Sequence, residues 1–152
     1  MQRGMTLLEV LICIGILTII SSTALPVIGE SMAKKELEGA SLQLVSDIRW
    51  LQQLSINECG STSYILLFNP SEPSSYYVTG NTKVIKRYAF PPSVRLPSTY
   101  SPIAFSASGA PLMGAQTIGL HSAKLKSWKY VILAPVSGRV RISNAKPQSL
   151  EG

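Results

Sequence analysis

The feature that most constrains this chain is a run of twenty residues, 10–29, that contains no charged side chain. As an α-helix such a run rises about 30 Å, which matches the hydrocarbon core of a bilayer. The sequence therefore predicts a membrane helix over residues 5–29. Arg3 is the only charged side chain ahead of it. By the positive-inside rule we expect a single-pass cytoplasmic membrane protein whose C-terminal domain lies outside the cytoplasm.

Glu9 is the one charged side chain within the predicted membrane helix. A carboxylate in lipid is energetically costly, and an ionisable residue at such a position indicates a function that involves a partner of opposite charge. The alternative is a plain single-span anchor in which Glu9 has no special role.

The first residues resemble a known processing site. Gly4 is followed by Met-Thr-Leu-Leu-Glu and then by the long apolar helix, and this arrangement resembles the class III leader of type IV pilins and pseudopilins. The resemblance implies that residues 1–4 are a leader, that a prepilin peptidase cuts between Gly4 and Met5, and that Met5 is then methylated. The family usually has Phe where this chain has Met5.

The same resemblance supplies a partner for Glu9. In the family this glutamate is the fifth residue of the mature chain, and it pairs with the free N-terminal amine of a neighbouring subunit. Each of these charges would be costly to bury alone, so the pair sets the register of assembly.

The chain has 152 residues, enough for one domain besides the anchor. We expect a leader at 1–4, a membrane and filament-core helix at 5–29, an amphipathic continuation of that helix at 30–59, and a β domain with a flexible tail at 60–152. The predicted apolar stripe of the amphipathic part consists of Leu37, Ala40 or Ser41, Leu44, Ile48 and Leu51, widened by Trp50 and Leu54. Asp47 and Gln52 are assigned to its polar faces, and Gly60 is the expected C-cap.

After Gly60 the pattern changes to short β-rich runs divided by turn residues. The runs fall at residues 64–68, 75–79, 83–90, 94–96, 103–105, 116–120, 128–134 and 139–142. One long helix followed by antiparallel strands predicts an α+β fold in which the helix packs on a small sheet, and this is also the pilin fold. The end of the helix, the turn at 105–111 and the closing segment 137–142 resemble minor pilins of the GspH and FimT type.

Few residues favour catalysis. His121 is the only histidine, and no acidic residue lies near it in sequence. No Cys/His cluster has the spacing of a metal site, and no glycine-rich phosphate loop is present. The sequence therefore predicts a substrate of the peptidase and not an enzyme, with no cofactor, no metal and no small-molecule substrate.

The charge is distributed very unevenly along the chain. After Glu72 the only acidic residue is Glu151. The basic residues of the same region are Lys83, Lys86, Arg87, Arg95, Lys124, Lys126, Lys129, Arg139, Arg141 and Lys146. A domain with such a one-sided charge is expected to attract polyanions.

Two of these cations are predicted to act together. The strand period of two places Arg139 and Arg141 on one face of the closing hairpin, at a spacing of about 7 Å. Gly138, Arg139 and Arg141 match the GRxR pattern of FimT-type pilins implicated in DNA uptake. Lys124, Lys126 and Lys129 extend the patch if the hairpin brings them alongside. Because this segment lacks interleaved aromatic residues, we expect sequence-independent contact with the DNA backbone.

These features predict a minor type IV pilin that associates with other pilin subunits in a competence or DNA-uptake pilus and binds double-stranded DNA. Three alternatives remain. The first is the minor H-type pseudopilin of a type II secretion system, which has no need to bind DNA. The second is a membrane-anchored binding domain that does not assemble. In the third, the arginines are an ordinary solvated face that protects a strand edge.

Overall fold

The computed structural model describes residues 6–58 and 63–147, with the backbone alone at residues 23–27. The helix α1 spans Leu7–Asn57, and seven strands follow it within the described residues. The strands are β1 Tyr64–Asn69, β2 Ser75–Gly80, β3 Lys83–Ala89, β4 Val94–Arg95, β5 Gln116–Ser122, β6 Ser127–Leu133 and β7 Val140–Ser143. The predicted α+β fold, with a long N-terminal helix packed on antiparallel sheet, is confirmed.

The chain divides into two compact units, Met1–Met32 and Ala33–Gly152. In the first unit, α1 exposes large apolar side chains in every direction, and consecutive residues such as Leu7, Leu8, Val10, Leu11 and Ile12 are all exposed. The hydroxyl of Thr18 donates to the carbonyl of Ile14 at 2.5 Å, so this polar group is satisfied within the helix itself. A helix that is apolar on all sides is typical of a segment surrounded by lipid or by other apolar helices.

The membrane span predicted for residues 5–29 lies partly outside the described residues, because Met5 and the side chains of residues 23–27 are not described. Among the described residues, no helix is both long enough and apolar enough to cross a membrane. The span is therefore not confirmed and stays a prediction.

The second unit contains two antiparallel sheets, where the sequence suggested one. One sheet has the strand order β1-β2-β3 and the other has the order β4-β5-β6-β7. The segment predicted as a strand at 103–105 forms only isolated bridges, between Leu66 and Ile103 and between Phe105 and Pro111. In the first of these, both backbone amides donate to the opposite carbonyl, at 2.8 and 2.9 Å, which satisfies part of the open edge of β1.

The core lies between the helix and the inner faces of both sheets. The centre of the predicted stripe is buried as expected, since Leu37, Ala40, Leu44, Ile48 and Leu51 all belong to one apolar cluster. Of the two residues expected to widen it, Leu54 packs against the cluster, whereas Trp50 is exposed. The cluster also includes alternate residues of three strands of the four-stranded sheet, namely Ile118 and Leu120 of β5, Val131 and Leu133 of β6, and Val140 of β7. The other face of that sheet is therefore turned away from the core.

Asp47 corrects the sequence analysis. It was assigned to a polar helix face, yet it is 2% exposed. Its carboxylate accepts hydrogen bonds from the hydroxyl of Tyr76 at 2.7 Å and from the amide of Gln43 at 3.0 Å, and it pairs with the ammonium of Lys86 at 2.7 Å. The helix packs against two sheets instead of one, so a wider arc of its surface is buried than a single stripe predicts.

The helix ends near its predicted boundary, at Asn57, and Gly60 lies outside the described residues. Of the flexible tail predicted at the end of the β domain, the residues after β7 are described as far as residue 147.

Candidate functional site

The hairpin of β6 and β7 positions the two arginines. The chain reverses at residues 135–138, and the amide of Ala134 donates to the carbonyl of Arg139 at 3.0 Å. Gly138 enters β7 with a φ of +64°, in the left-handed region that favours glycine. The amide of Arg139 donates to the hydroxyl of Ser137 at 3.3 Å. These contacts fix the backbone at the start of β7.

Side chains of α1 donate hydrogen bonds to backbone carbonyls at this turn. The amide group of Gln52 donates to the carbonyl of Gly109 at 2.7 Å and to that of Ser137 at 3.4 Å. The guanidinium of Arg49 donates to the carbonyl of Val140 at 3.3 Å. A Cβ added to Gly138 would lie 2.5 Å from the nitrogen of Gln52 and 2.7 Å from the carbonyl oxygen of Gly109. Glycine is therefore required here both by conformation and by space.

Arg139 and Arg141 share the outward face of the four-stranded sheet. Val140 between them is buried in the core, whereas both arginines are exposed. Arg141 pairs with Ile132 of β6, and the two arginines, Ile132 and Ala134 line a shallow depression of about 320 Å³. The structure therefore brings these two cations together on one surface, which we call the outward face of β5–β7.

The predicted lysines do not line the depression that contains the arginine pair. Lys124 and Lys126 lie in the turn between β5 and β6. Lys126 is six residues along the chain from Ile132, which corresponds to about 20 Å along an extended strand. Lys129 pairs with the fully buried Leu120 and so points toward the helix side of the sheet. Lys126 and Lys129 line a groove of about 640 Å³ together with Trp128, Tyr130 and Lys146 and with residues of α1 that include Lys34 and Glu38.

Aromatic side chains accompany the arginines on the outward face. Trp128 pairs with His121, and Tyr130 pairs with Ser143 of β7. The rings of Trp128 and Tyr130 are nearly parallel, with an interplanar angle of 5° and centroids 6.0 Å apart. These rings were not predicted as part of the site, because they lie on the neighbouring strand and not within the arginine segment. The signal was the alternation of Trp128, Tyr130 and Ile132 on the neighbouring strand.

No acidic side chain from β2 to the end of β7 opposes these cations, since residues 73–150 contain neither Asp nor Glu. Arg95 reaches back to Glu72 for its ion pair, at 2.8 Å. The depression that contains Arg139 and Arg141 therefore has no acidic side chain in its lining, and its positive charge favours polyanions. Glu38 of α1 lies at the neighbouring groove that contains Trp128, Tyr130 and Lys146.

The ring of His121 packs against that of Trp128 at an interplanar angle of 43°, with ring centroids 4.6 Å apart, and has no acidic partner on the strands around it. Among the described residues, no group of three or more His, Cys, Asp or Glu side chains could hold a metal ion.

The predicted processing residues Gly4 and Met5 lie outside the described residues. Glu9 lies in the first turn of α1. The backbone amide of Glu9 donates to the hydroxyl of Thr6 at 3.3 Å, so Thr6 caps the helix and Glu9 occupies the third helical position. A carboxylate there is stabilised by the helix dipole.

The sequence model of the prokaryotic N-terminal methylation motif matches residues 1–25. The fold matches two crystal structures of the type IV minor pilin FimU from Pseudomonas aeruginosa strain PAO1. The crystal form in space group P65 gives a TM-score of 0.57 at 11% identity over 74% of this chain and 98% of FimU. The form in space group P21 gives 0.58 at 12% identity over 76% and 96%.

The chain combines the N-terminal motif and the fold of the type IV pilins. No curated protein matched the sequence. The pilin fold accounts for the packing of α1 on the sheets. The sequence identity between this chain and FimU is too low for the roles of individual residues to be transferred. The arginine pair and the aromatic residues beside it are therefore interpreted from their own geometry.

Proposed function

We propose that this chain is a minor type IV pilin and not an enzyme. In this proposal a prepilin peptidase removes residues 1–4, and the mature chain is held in the cytoplasmic membrane by its N-terminal helix until it assembles with other pilin subunits. The methylation motif at residues 1–25 and the minor-pilin fold support this assignment. The exposed apolar surface around the first part of α1 supports assembly, because packing against like helices removes that surface from water.

Within this class we infer a competence or DNA-uptake pilus in which the protein binds DNA. The single observation that carries this inference is the exposed pair Arg139 and Arg141, fixed by α1 in a depression whose lining has no acidic side chain. Guanidinium groups donate to phosphate oxygens in bidentate geometry and remain charged at any physiological pH.

Binding through phosphates is independent of base sequence and strongly dependent on salt, since counterions are released from the DNA. Each phosphate contact contributes about 0.9 to the slope of log affinity against log salt for a duplex. The arginine pair accordingly accounts for about two units of slope.

The test uses the full chain, kept in solution with a nonionic detergent, and a fluorescently labelled DNA duplex whose anisotropy is followed across a salt series. We expect Arg139→Ala with Arg141→Ala to remove most of the affinity and to lower the salt slope by about two. The matched control is Lys124→Ala with Lys126→Ala, which removes the same charge at the far end of β6 and should leave most of the binding intact.

Two results would contradict the proposal. Binding that survives loss of both arginines and disappears with the lysines would move the contact to the turn between β5 and β6. Absence of binding by the parent even at low salt would favour the alternative, a minor H-type pseudopilin of a type II secretion system that assembles without contacting DNA.

A further inference from the structure

The outward face of β5–β7 carries two parallel rows of different chemistry. One row follows β6 and consists of Trp128, Tyr130 and Ile132. The other row follows β7 with Arg139 and Arg141, and Lys146 lies beyond its end. The register places Ile132 directly opposite Arg141, at the usual distance between neighbouring strands of about 4.8 Å, and Tyr130 opposite Ser143, so the rings lie further along the same face than the arginines, by about 7 Å for Tyr130 and about 13 Å for Trp128. Successive nucleotides of one extended strand can cover such a distance.

The aromatic row forms one side of an open groove. Trp128 and Tyr130, together with Tyr100, Gly119 and Lys146, line a groove of about 400 Å³. Trp128 remains 39% exposed, although it is large and apolar and could have been placed in the core. Apolar rings left on a solvent-facing surface beside cations indicate a ligand that has both flat apolar groups and negative charge.

The walls of this groove are held in place before any ligand binds. The hydroxyl of Tyr100 accepts a hydrogen bond from the amide of Gly119 at 2.9 Å and donates one to its carbonyl at 3.1 Å. A Cβ at Gly119 would lie 3.4 Å from the ring of Trp128, so the absence of a side chain there lets the ring lie close to the strand. An ordered platform of this kind loses little conformational entropy on binding.

A DNA duplex does not use such a platform, because its bases are paired and stacked inside and only its phosphates face the protein. A single strand exposes both its bases and its phosphates. Its bases can stack on aromatic rings while a row of basic side chains contacts its phosphates. We propose that the outward face of β5–β7 binds single-stranded DNA, with bases on Trp128 and Tyr130 and phosphates at Arg139, Arg141 and Lys146. This inference rests on the proposed DNA-binding function and names the form of DNA that the same site prefers.

The experiment measures the fluorescence of Trp128 in the full chain in nonionic detergent. Trp50→Phe serves as the background, since Trp50 is the only other tryptophan. Three probes with equal numbers of phosphates are compared: an oligodeoxythymidylate of about 12 nucleotides, an abasic single strand of the same length, and a duplex. We expect the oligodeoxythymidylate to quench Trp128 and to bind at least tenfold more tightly than either of the other probes.

Variants separate stacking from charge. Trp128→Ala with Tyr130→Ala should remove the tenfold preference and leave the salt-dependent binding that the arginines provide. Trp128→Phe, which retains a flat ring, should keep most of the preference, measured by anisotropy with a labelled strand. Val136→Ala changes another exposed apolar residue, in the turn before Gly138, and should have no effect.

The inference is overturned if the three probes bind the parent equally, or if the preference persists in the double alanine variant with an unchanged circular dichroism spectrum. In both cases the proposed function stands, because salt-dependent binding is still observed. Failure of all three probes to bind at low salt would instead remove the proposed DNA-binding function, and the inference with it.

Discussion

Gly138 controls the position of the arginine pair although it has no side chain. Its positive φ turns the chain into β7, and the space beside it is filled by the amide of Gln52 and the carbonyl of Gly109. Any larger residue would displace either the turn or the helix contact. The GRxR segment is therefore a structural unit in which glycine determines where the arginines lie.

Gly138→Ala tests this role at the level of stability. We expect it to lower the free energy of unfolding by about 3 kcal/mol, because the alanine must adopt a left-handed conformation and because its Cβ clashes with Gln52 and Gly109. Gly114→Ala is the matched control, since Gly114 has a φ of +74° but nothing within 4 Å of an added Cβ. It should cost only about 1 kcal/mol. Urea denaturation followed by circular dichroism measures both, and equal costs would contradict the role of the close contacts.

Tyr76 makes the free energy of unfolding depend on pH in the alkaline range. Burial first, and then the hydrogen bond to Asp47, raise the pKa of Tyr76 well above its ordinary value of 10.0. Above pH 10.0 the unfolded chain releases this proton while the folded chain keeps it, so the free energy of unfolding falls as pH rises. The stabilising contribution is complete below pH 10.0 and is lost above it.

Tyr76→Phe checks the sign of this effect. At neutral pH the variant should be about 1 to 2 kcal/mol less stable, because Asp47 loses a hydrogen-bond donor. The difference between parent and variant should shrink as the pH is raised beyond 10.0. Urea denaturation at a series of pH values measures this difference. A constant difference would show that Tyr76 ionises equally in both states, and a growing one that it ionises more readily in the folded chain, so either result would contradict the prediction.

At the scale of elements, the buried carboxylate of Asp47 links α1 to the three-stranded sheet through Tyr76 on β2 and Lys86 on β3. A buried charge with this many partners is costly to leave unpaired. The ion pair between Arg95 and Glu72 is quite different, since both side chains are more than half exposed. Exposed pairs contribute little because water and salt screen them.

We therefore expect Asp47→Asn to destabilise the protein by about 2 kcal/mol, since Lys86 loses its counter-charge, while a side-chain oxygen still accepts from Tyr76. Glu72→Gln, which removes the same charge at the exposed pair, should change the stability by less than about 0.5 kcal/mol. Thermal unfolding of both variants provides the comparison. If the two losses are equal, Asp47 does not act as a buried link between helix and sheet.

Periodicity along the chain predicted the helix and seven of the eight expected strands, and failed at residues 103–105, which form only isolated bridges. The stripe from Leu37 to Leu51 and the alternation in β6 and β7 follow from residue spacing alone, because a helix and a strand have fixed periods. The division into two sheets could not be predicted, since β4 pairs with β5 across residues 96–115 and such pairing is not encoded locally. The burial of Asp47 and the placement of Trp128 on the same sheet face as the arginines likewise depend on tertiary packing and strand register.

At the scale of the whole molecule, two regions serve different purposes in the proposed pilin. The outward face of β5–β7 offers a charged and aromatic surface to a ligand, whereas the first part of α1 offers only apolar side chains to lipid or to other subunits. Glu9 is the exception within that apolar surface. Its position in the first helical turn allows two roles, one in helix capping within the chain and one in charge pairing with a neighbouring subunit.

Substitutions at Glu9 distinguish these two roles. Gln can replace Glu in a capping box, so Glu9→Gln should preserve the start of the helix while it removes the charge. If pairing with a neighbour's amine drives assembly, both Glu9→Gln and Glu9→Ala should abolish incorporation into sheared filaments while cellular levels of the protein remain unchanged. Glu30→Gln, an exposed charge on the same helix, is the control and should assemble normally. Normal incorporation of Glu9→Gln, measured by immunoblotting of the filament fraction, would assign Glu9 to helix capping alone.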